Sequence, residues 1–227
     1  MKKQILLLAA LSVSLFANAQ KEVNMEKLWK VSEGSVEIND AMTVKDGVAF
    51  VGDTRTPDKI EDGVYKGMKV QSRKKHFSFG SGTIQYYNAM SFRGAASGMK
   101  TNGEVDVNNV PTSRLVQVKP LAGGKFQVYA EGTKPVVQHL YIGVRNGSTF
   151  KNLAVLNYQK DASVTGKKDA PFESQEVKYE YADGDELWFY SDGGVNLYAI
   201  SFKGKYDKDF QGSDPLEVKR AVKKARR

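Results

Sequence analysis

The feature that most constrains this chain is its punctuation. Turn residues able to adopt positive φ recur along it: Asp46-Gly47, Glu61-Asp62-Gly63, Gly80-Ser81-Gly82, Asn102-Gly103, Gly123-Gly124, Asn146-Gly147, Asp183-Gly184 and Asp192-Gly193-Gly194. Between them lie apolar and β-branched runs of strand length, at 35–38, 47–51, 67–71, 76–79, 89–92, 114–118, 125–130, 136–142, 153–156, 175–181, 186–190 and 195–202. Many short strands broken by turns predict an all-β fold, an antiparallel β-sandwich or jelly roll. No strand–helix alternation appears, so a parallel sheet is not expected, and no fixed-period repeat is present.

The most conspicuous pair of runs is 185–191 and 195–202, joined by Asp192-Gly193-Gly194, which reads as a hairpin. With Gly193-Gly194 as the loop, Leu187 faces Ile200 and Phe189 faces Tyr198. With one more loop residue, Trp188 faces Tyr198 instead, and the two faces of the strand exchange. Both faces are largely apolar, which places these strands inside a sheet rather than at its edge.

The two ends differ from the body. Lys2 and Lys3, an apolar stretch at 5–16 and Ala17-Asn18-Ala19 before Gln20 match a cleavable export signal over residues 1–19. The apolar stretch falls short of the roughly 20 residues that a membrane span needs. The expected product is secreted or periplasmic, with no lipid-bearing cysteine and no integral membrane segment. Removing 19 of the 227 residues leaves 208, enough for one β domain at 20–212 with a core that needs no disulfide, and there is no cysteine.

At 213–227 a short basic helix or tail is expected. Asp214, Pro215 and Glu217 make a good helix start, but Leu216, Val218 and Val222 give only a thin apolar stripe. A solvated tail is the plain reading of such a charge run; a contact with an acidic partner is the functional one. Of the formal charge of +8, Lys2 and Lys3 carry two and residues 219–227 carry six, so 20–218 is neutral. A neutral body argues against a nucleic-acid surface.

Two segments carry a likeness. One is Ser113-Arg114-Leu115-Val116-Gln117-Val118-Lys119-Pro120 followed by 124–130. The other is the run from Asp183 through Tyr190-Ser191-Asp192-Gly193-Gly194-Val195-Asn196-Leu197-Tyr198 to Ile200. Together they resemble secreted β-sandwich modules, jelly-roll and carbohydrate-binding-module-like, found beside bacterial pectate lyases and related polysaccharide-acting enzymes. The resemblance covers the last half of the chain and implies an accessory, glycan-associated role. No lyase or hydrolase domain accompanies the module here.

Motif chemistry is sparse. His76 and His139 are the only histidines and no zinc ligand set is legible. Asp183-Gly184-Asp185 and Asp192 lack the pattern of a calcium loop and read as turn aspartates. Ser81 and Ser97 do not sit in a nucleophile elbow, and no phosphate loop or cofactor motif is present. Glu176, Glu180, Asp183, Asp185 and Glu186 could supply paired carboxylates, and Arg73, Lys74, Lys75, Arg93 and Arg145 could serve a lyase. Neither set points to one cleft.

Aromatic side chains remain, because sugars stack on flat rings. The candidate ligand-binding residues are Tyr86, Tyr87, Arg93, Trp188, Tyr190, Asn196 and Tyr198, with core filling as the alternative for each ring. Adjacent strand residues Tyr86 and Tyr87 should point to opposite faces. The expectation is a secreted, non-catalytic carbohydrate-binding or polysaccharide-associated protein. A protein-interaction or adhesion module of the cell envelope and a jelly-roll polysaccharide lyase or glycosidase are the alternatives.

Overall fold

The computed structural model describes residues 21–52, 67–79, 82–101, 104–160 and 172–227. The segment read as an export signal lies outside the described residues. So do Glu61-Asp62-Gly63, Gly80-Ser81 and Asn102-Gly103.

The fold is all-β. Eight of the described strands form a first sheet in the order β13 (Phe172–Glu173), β5 (Met68–Phe79), β6 (Gly82–Ser91), β16 (Val195–Phe202), β10 (Gly124–Gly132) and β14 (Gln175–Tyr179), with β1 (Lys21–Asn24) on β16 and β2 (Ser35–Ile38) on β5. Six form a second sheet, β12 (Thr149–Tyr158), β11 (Gln138–Asn146), β15 (Glu186–Ser191), β9 (Leu115–Val118), β4 (Val48–Val51) and β3 (Thr43–Lys45). A small pair, β7 (Lys100–Thr101) and β8 (Glu104–Val105), stands apart. Neighbours run antiparallel throughout, except the short parallel pairing of β13 with β5. Each apolar run read from the sequence overlaps a strand and runs at most two residues past its end, and 67–71 and 76–79 fall on one continuous strand, β5.

The 185–202 segment is not a hairpin. β15 pairs with β11 and β9 in the second sheet, whereas β16 pairs with β1, β10 and β6 in the first. Asp192-Gly193-Gly194 therefore crosses between sheets. Side chains hold the crossing: Asp192 accepts from the His139 backbone N–H at 2.9 Å, and Thr133 Oγ1 donates to the Gly194 carbonyl at 2.9 Å. The physical reason lies in burial. Every residue of both strands is buried, so each needs cover on both faces. As central strands of two sheets they obtain it: Leu187 and Phe189 meet Val195, Leu197 and Ile200 in one core fed by both sheets. The alternate residues Trp188 and Tyr190 enter a second cluster on the far side of the second sheet. Tyr198 and Ala199 enter a third on the far side of the first.

Two local irregularities shape these outer faces. Pairing of β10 with β16 passes from Tyr129↔Ala199 to Ala130↔Leu197, which leaves Tyr198 as an extra residue in a bulge. The chain before the C-terminus crosses the second sheet so closely that a Cβ on Gly212, at φ +82°, would sit 2.7 Å from the Ala49 methyl.

Two helices flank the sheets. The first, α1 (Met25–Trp29), is capped by Asn24, whose Oδ1 accepts from the Glu26 backbone N–H at 2.9 Å. The second, α2 (Pro215–Ala225), starts as the sequence predicts, with the Asp214 carboxylate accepting from Leu216 N at 2.8 Å and Pro215 in the first turn. It is not a loose tail. Pro215, Val218 and Val222 are buried, and the two valines join the Trp188–Tyr190 cluster. No described helix is long and apolar enough to cross a membrane.

Candidate functional site

The outer face of the first sheet gathers three of the residues nominated from sequence around one that was not. Glu131, on β10, has a side chain with no solvent exposure. Tyr198 Oη donates to its Oε1 at 2.8 Å and Asn196 Nδ2 at 3.0 Å. Arg73 Nε bonds the same oxygen, and Lys75 Nζ forms an ion pair with Oε2 at 3.0 Å. Burial alone would raise the Glu131 pKa. The Asn196 hydrogen bond, the Arg73 charge, Lys75 and Tyr198 overcome burial and hold the carboxyl below its ordinary value. Burial, with the neighbouring carboxylate, drives the Tyr198 phenol well up, so it stays protonated.

Tyr86 closes the same layer. It is 1% exposed, packs with Phe77, Tyr129 and Tyr198, and donates to Glu22. Glu131, Asn196 and Tyr198 are enclosed while the Arg73 and Lys75 side chains keep partial exposure, and among the described residues Asn196 Oδ1 accepts no hydrogen bond. Sequence reasoning missed Glu131 as its centre. The signal that points there is β16, whose apolar character on both faces implies a covered outer face and hence paired charges on its neighbours.

Trp188 and Tyr190 lie elsewhere, beneath α2. Trp188 meets Phe150 edge-on and Tyr190 stacks on Tyr141 with ring centroids 5.6 Å apart. Trp188 Nε1 donates to Glu186 Oε2 at 3.1 Å, and Tyr190 Oη donates to the Val107 carbonyl at 3.0 Å. Both rings fill a packed layer. Arg93 is apart from all of these, at a left-handed φ of 54°, in an ion pair with Glu37.

Tyr87 differs from the other nominated aromatics. It is 49% exposed, while its neighbour Tyr86 is buried. It borders a groove of about 410 Å³ shared with Glu26, Lys30, Ser32, Ser72 and Asn88. Lys74 Nζ stands 5.9 Å from the ring centroid. Asn88 is 2% exposed, yet its Oδ1 accepts no hydrogen bond among the described residues. A buried acceptor without a donor is costly, on the order of 1–3 kcal/mol. The groove thus sets a half-exposed ring beside the side chains of Ser32 and Ser72 and the Glu26 carboxylate, which accepts from the Tyr87 backbone N–H at 3.4 Å, while Asn88 Oδ1 is itself buried.

A larger cleft of about 1330 Å³ opens where edge strands β12 and β14 approach each other. Its polar groups are largely committed. Asp185 accepts from Tyr179 Oη at 2.6 Å, Ala182 N at 2.8 Å and Asn146 Nδ2 at 2.8 Å. Tyr181 Oη donates to Asp183 and Lys125 pairs with Glu176. These contacts explain the Asp183-Gly184-Asp185 turn as structural. Among the described residues no three His, Cys, Asp or Glu side chains form a metal-binding group. His76 faces Gln85, and His139 faces Asp192.

No protein-family model matches the chain, and no curated protein matches it.

Proposed function

We propose that this is an exported, non-catalytic carbohydrate-binding or polysaccharide-associated protein. On this reading its two sheets form a jelly-roll β-sandwich, and the Tyr87 groove is its sugar contact. The observation that carries the reading is the half-exposed Tyr87 ring beside a small groove lined by polar side chains, Glu26, Ser32 and Ser72 among them. Ring stacking favours the apolar face of a sugar, and a few polar lining groups can fix its hydroxyls. The basic start, apolar stretch and Ala17-Asn18-Ala19 of the sequence support export.

The lyase or glycosidase alternative would look to the arginine, lysine and tyrosine around Glu131. There Glu131, Asn196 and Tyr198 are buried and bonded to one another, and the phenol is held protonated. A polymer at this face would meet only the partly exposed Arg73 and Lys75, both already paired with Glu131, which supports the non-catalytic reading.

A glycan array probed with the full chain and with Tyr87→Ala tests the proposal. Binding to a subset of glycans, weakened about tenfold by the substitution with unchanged thermal stability, is the expected result. No binding to any plant, host or bacterial polysaccharide overturns it.

A further inference from the structure

The outward face of α2 carries a regular charge pattern. Arg220, Lys223 and Lys224 are exposed, and their spacing of i, i+3 and i+4 places them in one stripe on the helix; the exposed Arg227 follows just past the C-cap residue Arg226. The helical part of the stripe spans roughly 6 Å of axis, at 1.5 Å per residue. None of the four forms an ion pair with a described residue. One acidic residue of the helix, Glu217, is exposed beside them. Residues 20–218 sum to zero charge, so this stripe is a strong local excess.

The helix is held as a rigid element. Before its first turn, Ser213 N donates to Gln117 Oε1 at 2.7 Å, Gln117 Nε2 donates to the Ser213 carbonyl at 2.9 Å, and Ser213 Oγ donates to Glu186 Oε1 at 2.8 Å. At its far end, Arg226 Nη2 donates to the Asn108 carbonyl at 3.0 Å. Val218 and Val222 face the sheet. The backbone that carries Arg220, Lys223 and Lys224 is therefore held with these residues on the side away from the body, which lowers the entropy cost of engaging a partner.

We propose that this stripe is a docking surface for an acidic polysaccharide, a chain bearing regularly spaced carboxylates or sulfates. Charge complementarity names a polyanion. The apolar side of the helix is already spent on the second sheet, which leaves only Leu216, 40% exposed, to enter a lipid interface. No aromatic side chain belongs to the helix, so the stacking platform that single-stranded nucleic acid uses is missing from it. The surface stands on its own charge pattern, but the choice of polysaccharide as the polyanion rests on the function proposed above.

The experiment measures binding of the full chain to polygalacturonate and to neutral dextran across a salt series. It compares wild type with R220Q/K223Q/K224Q/R227Q and with Lys203→Gln, which removes an exposed charge outside the helix and the groove. Wild type should bind polygalacturonate with an affinity that falls as salt rises. The fourfold variant should lose on the order of tenfold in affinity or more while keeping its circular dichroism and melting temperature, and Lys203→Gln should bind polygalacturonate as wild type does. Unchanged binding by the fourfold variant, or no wild-type binding, overturns the stripe without touching the Tyr87 groove. Equal, stripe-dependent binding to anionic vesicles or polyadenylate overturns the assignment to polysaccharide. Absence of any glycan binding that depends on Tyr87, with this stripe-dependent binding retained, would instead sink the groove.

Discussion

The outer faces of the two sheets contain similar chemistry put to different use. Each buries a glutamate beside an arginine and an aromatic donor: Glu131 with Arg73 and Tyr198, and Glu186 with Arg145 and Trp188. On the second sheet Glu186 also takes the Ser213 hydroxyl, which pins the chain that leads into α2. The helix then covers the rings. On the first sheet Glu131 takes a second cation, Lys75, and the layer closes through Tyr86 and Glu22 on β1. A buried carboxylate fastens a backbone crossing in one place and pairs with two cations in the other. A buried aromatic beside charge is therefore no marker of a ligand site in this fold. The exposed Tyr87, not the buried Trp188, is the informative ring.

The comparison can be broken at several strengths. Trp188→Ala should cost most, about 4 kcal/mol in chemical denaturation, because it empties the layer under α2. Glu131→Gln should cost about 3 kcal/mol, since it strands Arg73 and Lys75 without their carboxylate, discounted for the partial exposure of those cations. This variant also carries a pH signature. Because the folded-state pKa of Glu131 is lowered, its contribution is fully present above the unfolded-state carboxyl value of about 4.3. It is lost as pH falls through the lower folded-state value. Acid unfolding should therefore narrow the gap between wild type and Glu131→Gln; a constant gap down to the acid transition would refute the paired-carboxylate account.

Val222→Ala, which trims the helix contact, should cost about 1.5 kcal/mol by the two methylene equivalents removed. Asp214→Ala should cost about 1 kcal/mol through the lost cap. Tyr87→Ala should change stability by less than about 0.5 kcal/mol. A larger loss there would mean that its ring serves the fold rather than the groove. All of these are read by urea titration of the full chain.

Much of this fold was legible. The strand runs were found because turn residues bound them, and β2 and β16 fall on the residues expected. The start of α2 was legible because Asp214, Pro215 and Glu217 act locally. Its packing was not, because the surface that receives Val218 and Val222 belongs to Trp188 and Tyr190, distant in sequence. The hairpin reading failed for a related reason. Adjacency, a glycine pair and strands apolar on both faces suit a hairpin and an inter-sheet crossing equally, and only the partners supplied by β9, β10 and β11 separate them. Of the candidate site, the opposed faces of Tyr86 and Tyr87 were legible, but not which of the two rings stands exposed. The groove was not legible either, since Glu26, Ser72 and Asn88 meet only through tertiary contact.

The crossing at Asp192-Gly193-Gly194 has a consequence for how the chain reaches this state. It ties the middle of one sheet to the middle of the other through three residues, so neither sheet can set its central strand without placing the other's. Most of the pairings those strands make are distant in sequence, as with β16 on β1 and β15 on β9. Chains dominated by such pairings fold slowly. The two layers should accordingly gain and lose structure together, in one kinetic phase, with no half-assembled sheet outliving its counterpart.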